Sequence, residues 1–261
     1  MPPLVDTHCH LHPGLDDGPS DVAEAIEMCR IAWAEGVRAV AATAHQNPCW
    51  PEATADRIRS STRDLRMRLD AAGIPLDVVP CGEVMLSPEL LDDWSAERLV
   101  SVADSGRYLL IEMPHGVFLD IRELVTELVA AGVRPILAHP ERCPELWTRP
   151  ETVVEWIRRG CLMQVCADSI LCPDKKVHRQ LRDWLACDWV HLVASDGHSV
   201  AARRPELAAA FDRLARWTTP VVAECLCGTN GMAIFEGRRL VVPQPQAPKR
   251  RWFAVPRWTK D

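Results

Sequence analysis

Leu4-Val5-Asp6-Thr7-His8-Cys9-His10 is the stretch on which the fold turns. Its apolar start reads as a strand over residues 4–7 that runs into two histidines two positions apart. On an extended chain, side chains at i and i+2 point the same way, so both imidazoles address one point. By itself such a pair fits a polar surface as well as a metal site. The pattern recurs, however, at the ends of further apolar runs. Expected strands cover residues 38–43, 77–81, 108–112, 134–138, 161–165 and 191–194. His45, Glu83, Glu112, His139, Asp196 and His198 each end one of these runs or follow closely on it. Helical spacings of three and four fill the intervals, at residues 22–35, 55–72, 121–131, 150–158, 174–186 and 205–217. Gly36, Gly73, Gly132 and Gly160 stand where left-handed helix ends need them, and Ser20 is a plausible helix start. Seven strand–helix alternations predict an α/β fold with a parallel sheet. Periodicity does not choose between a closed barrel and an open, doubly wound sheet. In a barrel, all these polar residues would share the carboxyl-terminal rim, where barrel enzymes build their sites.

The rest of the chain sets limits. It has 261 residues, 48% hydrophobic and 25% charged, enough for one large domain. A formal charge of −6 implies no whole-chain attraction to nucleic acid or anionic membrane. No apolar run is long enough for a membrane span. The first residues lack the basic and apolar regions of a secretory signal. The eleven cysteines are scattered without a CxxC pair, so free thiols in the cytoplasm are expected. The expected domain covers residues 1–242. Residues 243–261 read as a disordered, Pro-rich tail whose Lys249, Arg250, Arg251, Arg257 and Lys260 stand against Asp261 alone, a net +4. With Trp252, Phe253 and Trp258, such a tail suits an acidic partner or a membrane surface; the plainer readings are a solvated tail or one folded back on the acidic body.

A mixed set of imidazoles and carboxylates suits zinc, manganese or iron better than calcium. More than four candidate ligands imply more than one ion, and multi-metal sites favour phosphoester hydrolysis. Arg142, Arg203 and Arg204 are the candidate phosphate-binding residues, because guanidinium matches phosphate geometry. Cys143 and Arg149 fit the bare Cys-x5-Arg count of cysteine phosphatases. The loop between them has no glycine to bring its backbone onto an anion, which argues against that chemistry. Neither GxSxG nor GxxxxGK[ST] occurs. A bridging lysine, as in metal-dependent amidohydrolases, is not expected: Lys175, Lys176, Lys249 and Lys260 all lie off the expected rim.

Taken together, Asp6-x-His8-x-His10, Asp16-Asp17-Gly18-Pro19, Thr43-x-His45, Gly82-Glu83, His139-Pro140-Glu141-Arg142 and Ser195-Asp196-x-His198 resemble the PHP (polymerase and histidinol phosphatase) superfamily. The Asp-Asp-Gly-Pro stretch, the Ser105–Glu112 segment and Ala-Ser-Asp-x-His resemble its CpsB/CapC/YwqE-type bacterial protein-tyrosine phosphatases. The resemblance covers about residues 4–235. It implies a distorted (β/α)7 TIM-like barrel with the site at the C-terminal strand ends. It also implies up to three divalent ions, manganese favoured, with iron, zinc or magnesium as alternatives. By position, His8, His10, Glu83 and Asp196 would hold one ion. Glu83, Glu112 and His139 would hold a second, and Asp17, His45 and His198 a third, with Asp16 as the alternative to Asp17. Arg142 would grip the phosphoryl oxygens, His198 would assist, and Arg204 is favoured over Arg203 as the second arginine. The implied activity is hydrolysis of protein phosphotyrosine in exopolysaccharide or capsule regulation, with a tyrosine kinase of polysaccharide export as partner. The alternatives are a phosphatase of small, histidinol-phosphate-like esters and a non-catalytic, metal-stabilised binding module. Gly228-Thr229-Asn230-Gly231 departs from the family's usual Asn-Pro pair, without touching a ligand position.

Overall fold

The computed structural model describes residues 2–247. Seven strands, β1 (Leu4–His10), β2 (Val37–Gln46), β3 (Asp77–Met85), β4 (Tyr108–Glu112), β5 (Arg134–Ala138), β6 (Leu162–Cys166) and β7 (Leu192–Ala194), pair in parallel in sequence order. The sheet bends round until its ends meet. His10 N donates to Gly197 O at 2.8 Å, Asp196 N donates to His8 O at 2.8 Å, and Cys9 bridges Gly197. Of the two sheet forms left open by periodicity, the barrel is the one formed.

Period-two alternation divides each strand between two cores. Outward residues such as Leu109, Ile111, Leu137, Met163 and Val193 pack beneath the helices, together with Trp156, Trp184 and Trp189. Inward residues such as Ala41, Cys81, Leu110, Ile136, Leu162 and Leu192 fill the barrel, and Ala233 and Ile234 plug it from below. The pairing of β1 with β2 shifts register between Asp6 and Cys9. Such irregularities re-aim side chains beside functional sites. Val5 and Thr7 meet Gly231 of the plug, whereas His8 and His10 meet the upper rim.

Six longer helices cover the outside: Val22–Ala34, Ala55–Ala71, Arg122–Ala130, Pro150–Arg159, Lys175–Ala186 and Ala208–Trp217. Val22–Ala34 is capped by Asp21, whose carboxylate accepts from Glu24 N, and Ser20 stands one residue earlier. Gly36, Gly73, Gly132 and Gly160 all take positive φ. The expected domain boundary is at residue 242. Gln246 N donates to Cys187 O, Trp189 Nε1 donates to Gln246 O, and Gln246 Nε2 donates to Asp188 Oδ2, so the chain is tied to the barrel beyond Pro243. The remainder of the expected tail, residues 248–261, lies outside the described residues. Among the described residues no helix is long and apolar enough to cross a membrane.

Two stability predictions arise here. A Cβ at Gly231 would lie 2.8 Å from Val5 Cγ1 and 2.9 Å from Thr7 Cγ2, both on stiff β-branched side chains. Alanine gains about 1 kcal/mol over glycine in a helix, but overpacking costs about 1–3 kcal/mol. Gly231→Ala should therefore lower the urea midpoint. The second concerns His191, which is buried, with Nδ1 accepting from Met163 N at 3.0 Å. Burial, with help from Arg134, pushes its pKa down to about 3. Between there and the unfolded value near 6.5, only the unfolded chain takes the proton. Stability from this group is thus complete above pH 6.5 and falls by about 1.4 kcal/mol per pH unit as the solution is acidified. Urea midpoints measured from pH 7 to 5 should fall less steeply for His191→Asn than for the wild type.

Candidate metal centre

The inward stripe turns polar as it reaches the carboxyl-terminal rim. His8 and His10 stand on β1, His45 on β2, Glu83 on β3 and Glu112 on β4. His139, Asp196 and His198 follow directly on β5 and β7, and Asp17 comes from the loop after β1. All nine expected ligands meet. Glu83 sits at the centre: its Oε2 lies 3.1 Å from His8 Nε2, 3.2 Å from His10 Nε2 and 3.2 Å from His45 Nδ1. Its Oε1 lies 2.9 Å from His139 Nε2. Asp196 Oδ1 is 3.3 Å from His8 Nε2, and Glu112 Oε1 is 3.2 Å from His45 Nδ1. Asp17 Oδ1 lies 3.3 Å from His45 Nε2 and 3.4 Å from His198 Nε2. The backbone at His139 (φ 34°) and Asp196 (φ 54°) is left-handed. In non-glycine residues such strain gathers at functional sites.

The hydrogen bonding around these groups fits metal ions. His8 Nδ1 faces Gln164 Oε1 at 3.1 Å, His10 Nδ1 faces Asp16 Oδ2 at 2.6 Å, and His198 Nδ1 faces Asp196 O at 2.9 Å. Each partner is an acceptor, so each Nδ1 carries the hydrogen and each Nε2 turns a lone pair to the centre. The Nε2 atoms of His8 and His10 are 3.1 Å apart, an arrangement that a shared cation makes favourable. His45 Nδ1, Glu83 Oε2 and His198 Nε2 are buried without hydrogen-bond partners, despite their close neighbours. Lone pairs gathered without protons between them are what a cation satisfies. Three sets lie within ligand reach: His8, His10 and Asp196; His45, Glu83 and Glu112; and His10, Asp17, His45 and His198. The surrounding carboxylates also favour positive charge. Burial opposes a charge on His10, yet Asp16 and Glu83 lift its pKa to about 9.

Asp16 and Asp17 divide their work. Asp17 faces the cleft, whereas Asp16 accepts from His10 Nδ1, from His45 N at 2.9 Å and from Gly18 N at 2.9 Å. Asp16→Asn should therefore weaken metal binding about 10–100-fold through misplaced imidazoles. Metal retained after dialysis against graded chelator checks this.

The cleft over the site has a volume of about 400 Å3. Arg142 lines it, with NH1 2.7 Å from Asp196 Oδ2. Arg203 lines it too and bonds the same oxygen. Burial raises the pKa of Asp196, but His8 and Arg142 outweigh that and hold its carboxyl well below the usual range. Arg204, favoured over Arg203 from the sequence, does not line the cleft. His198 N and Ser199 N both donate to Arg203 O, a tight turn that folds Arg203 back over Asp196. Arg204 is left outside, bonded to Glu206 and to Val200 O. Cys143 stands at the rim beside Glu145 Oε2, and burial together with that carboxylate raises its pKa. Arg149 stacks on Phe118 instead of joining it, so the Cys-x5-Arg spacing builds no thiolate site. Sequence reasoning missed Gln164, a lone polar residue in the apolar run of β6. It missed the Met113–Val117 wall of the cleft as well.

Residues 4–236 match the family model described as capsular polysaccharide synthesis, CpsB/CapC. Over 202 residues the chain is 32% identical to the tyrosine-protein phosphatase YwqE of Bacillus subtilis (strain 168), covering 77% of this chain and 79% of that protein. It is 26% identical over 220 residues to the tyrosine-protein phosphatase CpsB of Streptococcus agalactiae serotype III (strain NEM316), covering 82% and 90%. Among solved structures, one from work on YwqE of Bacillus subtilis and CpsB of Streptococcus pneumoniae, described as unique metal-dependent tyrosine phosphatases, superposes with a TM-score of 0.88 at 29% identity. It covers 95% of this chain and 100% of that one. An amidohydrolase from Mycoplasma synoviae, at 11% identity and a TM-score of 0.54, shares the fold alone. With a barrel of this order, nine converging candidate ligands and a family match spanning nearly all the described residues, the chain belongs to the CpsB/CapC family.

Proposed function

We propose that the chain is a metal-dependent phosphatase of protein phosphotyrosine, with manganese as its preferred ion. The observation that carries this reading is Glu83, whose two oxygens stand between the imidazoles of His8, His10, His45 and His139. Divalent ions held there supply Lewis acidity and activate water at neutral pH. His8, His10, Glu83 and Asp196 would hold one ion, Glu83, Glu112 and His139 a second, and Asp17, His45 and His198 a third. Arg142 and Arg203, both on the cleft wall, orient the phosphoryl group and balance charge on its non-bridging oxygens. Met113, Pro114, Val117 and Pro144 line the same cleft and offer an apolar surface to a phenyl ring. The phenolate leaving group needs little help, since tyrosine has a pKa near 10; the His198 imidazole stands at the same rim to assist. The family description of capsular polysaccharide synthesis supports a substrate in capsule or exopolysaccharide regulation, and the proposed partner is a cytoplasmic tyrosine kinase of polysaccharide export.

The test is phosphate release from a phosphotyrosyl peptide by metal-stripped protein, with and without Mn2+. At least about 10^3-fold stimulation by metal is expected. Release independent of metal would overturn the reading. Faster release from histidinol phosphate than from the peptide would move the substrate to small esters.

A further inference from the structure

We propose that the end of the barrel opposite the metal centre is a docking face for anionic lipid. A hollow of about 680 Å3 opens there, at the amino-terminal ends of β4 and β5. Arg107, Arg134, Arg158, Arg159 and Arg239 line it, and no carboxylate does. Two of the five are engaged within the fold. Arg134 donates to Gly160 O and Leu240 O, and Arg159 pairs with Glu155. Arg107, Arg158 and Arg239 are exposed, and their guanidinium groups have no partner among the described residues.

The same face is apolar between its charges. Val129 is 40% exposed and Val241 87% exposed, and both line the hollow. Guanidinium groups around exposed aliphatic side chains suit a surface of phosphate headgroups over hydrocarbon. The course of the chain agrees. Gln246 is bonded to Cys187 and Asp188, just ahead of β7, so the described chain ends at this end of the barrel. In the sequence beyond, Lys249, Arg250, Arg251, Arg257 and Lys260 carry the same charge as the hollow, so this segment is an unsuitable occupant for it. Trp252, Phe253 and Trp258 are the side chains enriched at membrane interfaces. The hollow and the composition of the sequence beyond it both favour an anionic surface. The chain as a whole is negative, which turns this end, and not the acidic cleft, towards the lipid.

The experiment is co-sedimentation of the full chain with vesicles of phosphatidylglycerol and phosphatidylcholine, or of phosphatidylcholine alone. Binding is expected only to the anionic vesicles and should fall with added salt. The combined variant Arg107→Glu, Arg158→Glu, Arg239→Glu should partition at least about 100-fold more weakly. Its hydrolysis of a soluble phosphotyrosyl peptide should be unchanged, since the cleft is at the other end, and its circular dichroism should match the wild type. Removal of residues 248–261 should weaken binding without abolishing its dependence on the three arginines. The proposal is overturned if the wild type prefers neither vesicle, or if the triple variant binds like the wild type. Equal, salt-sensitive binding to soluble polyglutamate without vesicle binding would assign the face to an acidic protein and overturn the lipid.

Discussion

Glu83→Gln should lower kcat/KM towards a phosphotyrosyl peptide by at least about 10^3-fold, roughly 4 kcal/mol of transition-state stabilisation. The substitution keeps the shape of the side chain and removes its charge. It also replaces one acceptor oxygen by an amide nitrogen that donates. Both Glu83 oxygens are in use: Oε2 faces His8, His10 and His45, and Oε1 faces His139. No other carboxylate in the site lies within reach of four imidazoles, so none can take over the bridge. Metal content should fall with the rate, and by more than one ion per chain, because two of the assigned subsites share this residue. Kinetics and elemental analysis on the same preparation check both parts. A variant within tenfold of the wild-type rate, with its metal complement intact, would remove Glu83 from the centre of the mechanism.

The sequence made some of this legible, and physical reasons separate those parts from the others. Strands β4 and β5 lie where their apolar runs placed them, at residues 108–112 and 134–138. The apolar runs of β1, β2 and β3 end at residues 7, 43 and 81, yet the strands continue to His10, Gln46 and Met85. Hydropathy stops a strand where its inward residues turn polar, and here they turn polar where the candidate ligands stand. The short helices Leu90–Ser95 and Pro144–Trp147 span too little chain to show a period. The helix expected from residue 205 begins at Ala208, because Pro205 and Glu206 belong to the turn that carries Arg204 outward. Choosing Arg203 over Arg204, or Asp17 over Asp16, depends on which side of a turn each neighbour faces, and spacing carries no such information. Gln164 was detectable in principle: a polar residue in a wholly buried apolar strand needs a partner, and here that partner is His8.

His139→Ala is the complementary prediction, and it separates a terminal ligand from a bridging one. The side chain reaches Glu83 Oε1 at 2.9 Å and Glu112 Oε2 at 4.0 Å, and none of the contacts of His8 or His10 with Glu83 and Asp196 depends on it. Loss of the imidazole should release about one ion, with the His8, His10 and Asp196 cluster still loaded. Activity should nevertheless fall by about 10^3-fold, because a multi-metal phosphoester hydrolase needs the attacking and the leaving oxygen stabilised together. The fold should survive, since the side chain closes the rim and does not fill the core. Its left-handed backbone persists in either residue, at a strain of about 1–3 kcal/mol. Thermal melting of the two proteins in chelator should therefore be similar, which excludes unfolding as the cause of lost activity. Equal metal loss from His139→Ala and Glu83→Gln would mean that the ions bind as one indivisible cluster. Wild-type turnover by His139→Ala would place the reacting phosphate away from β5 altogether.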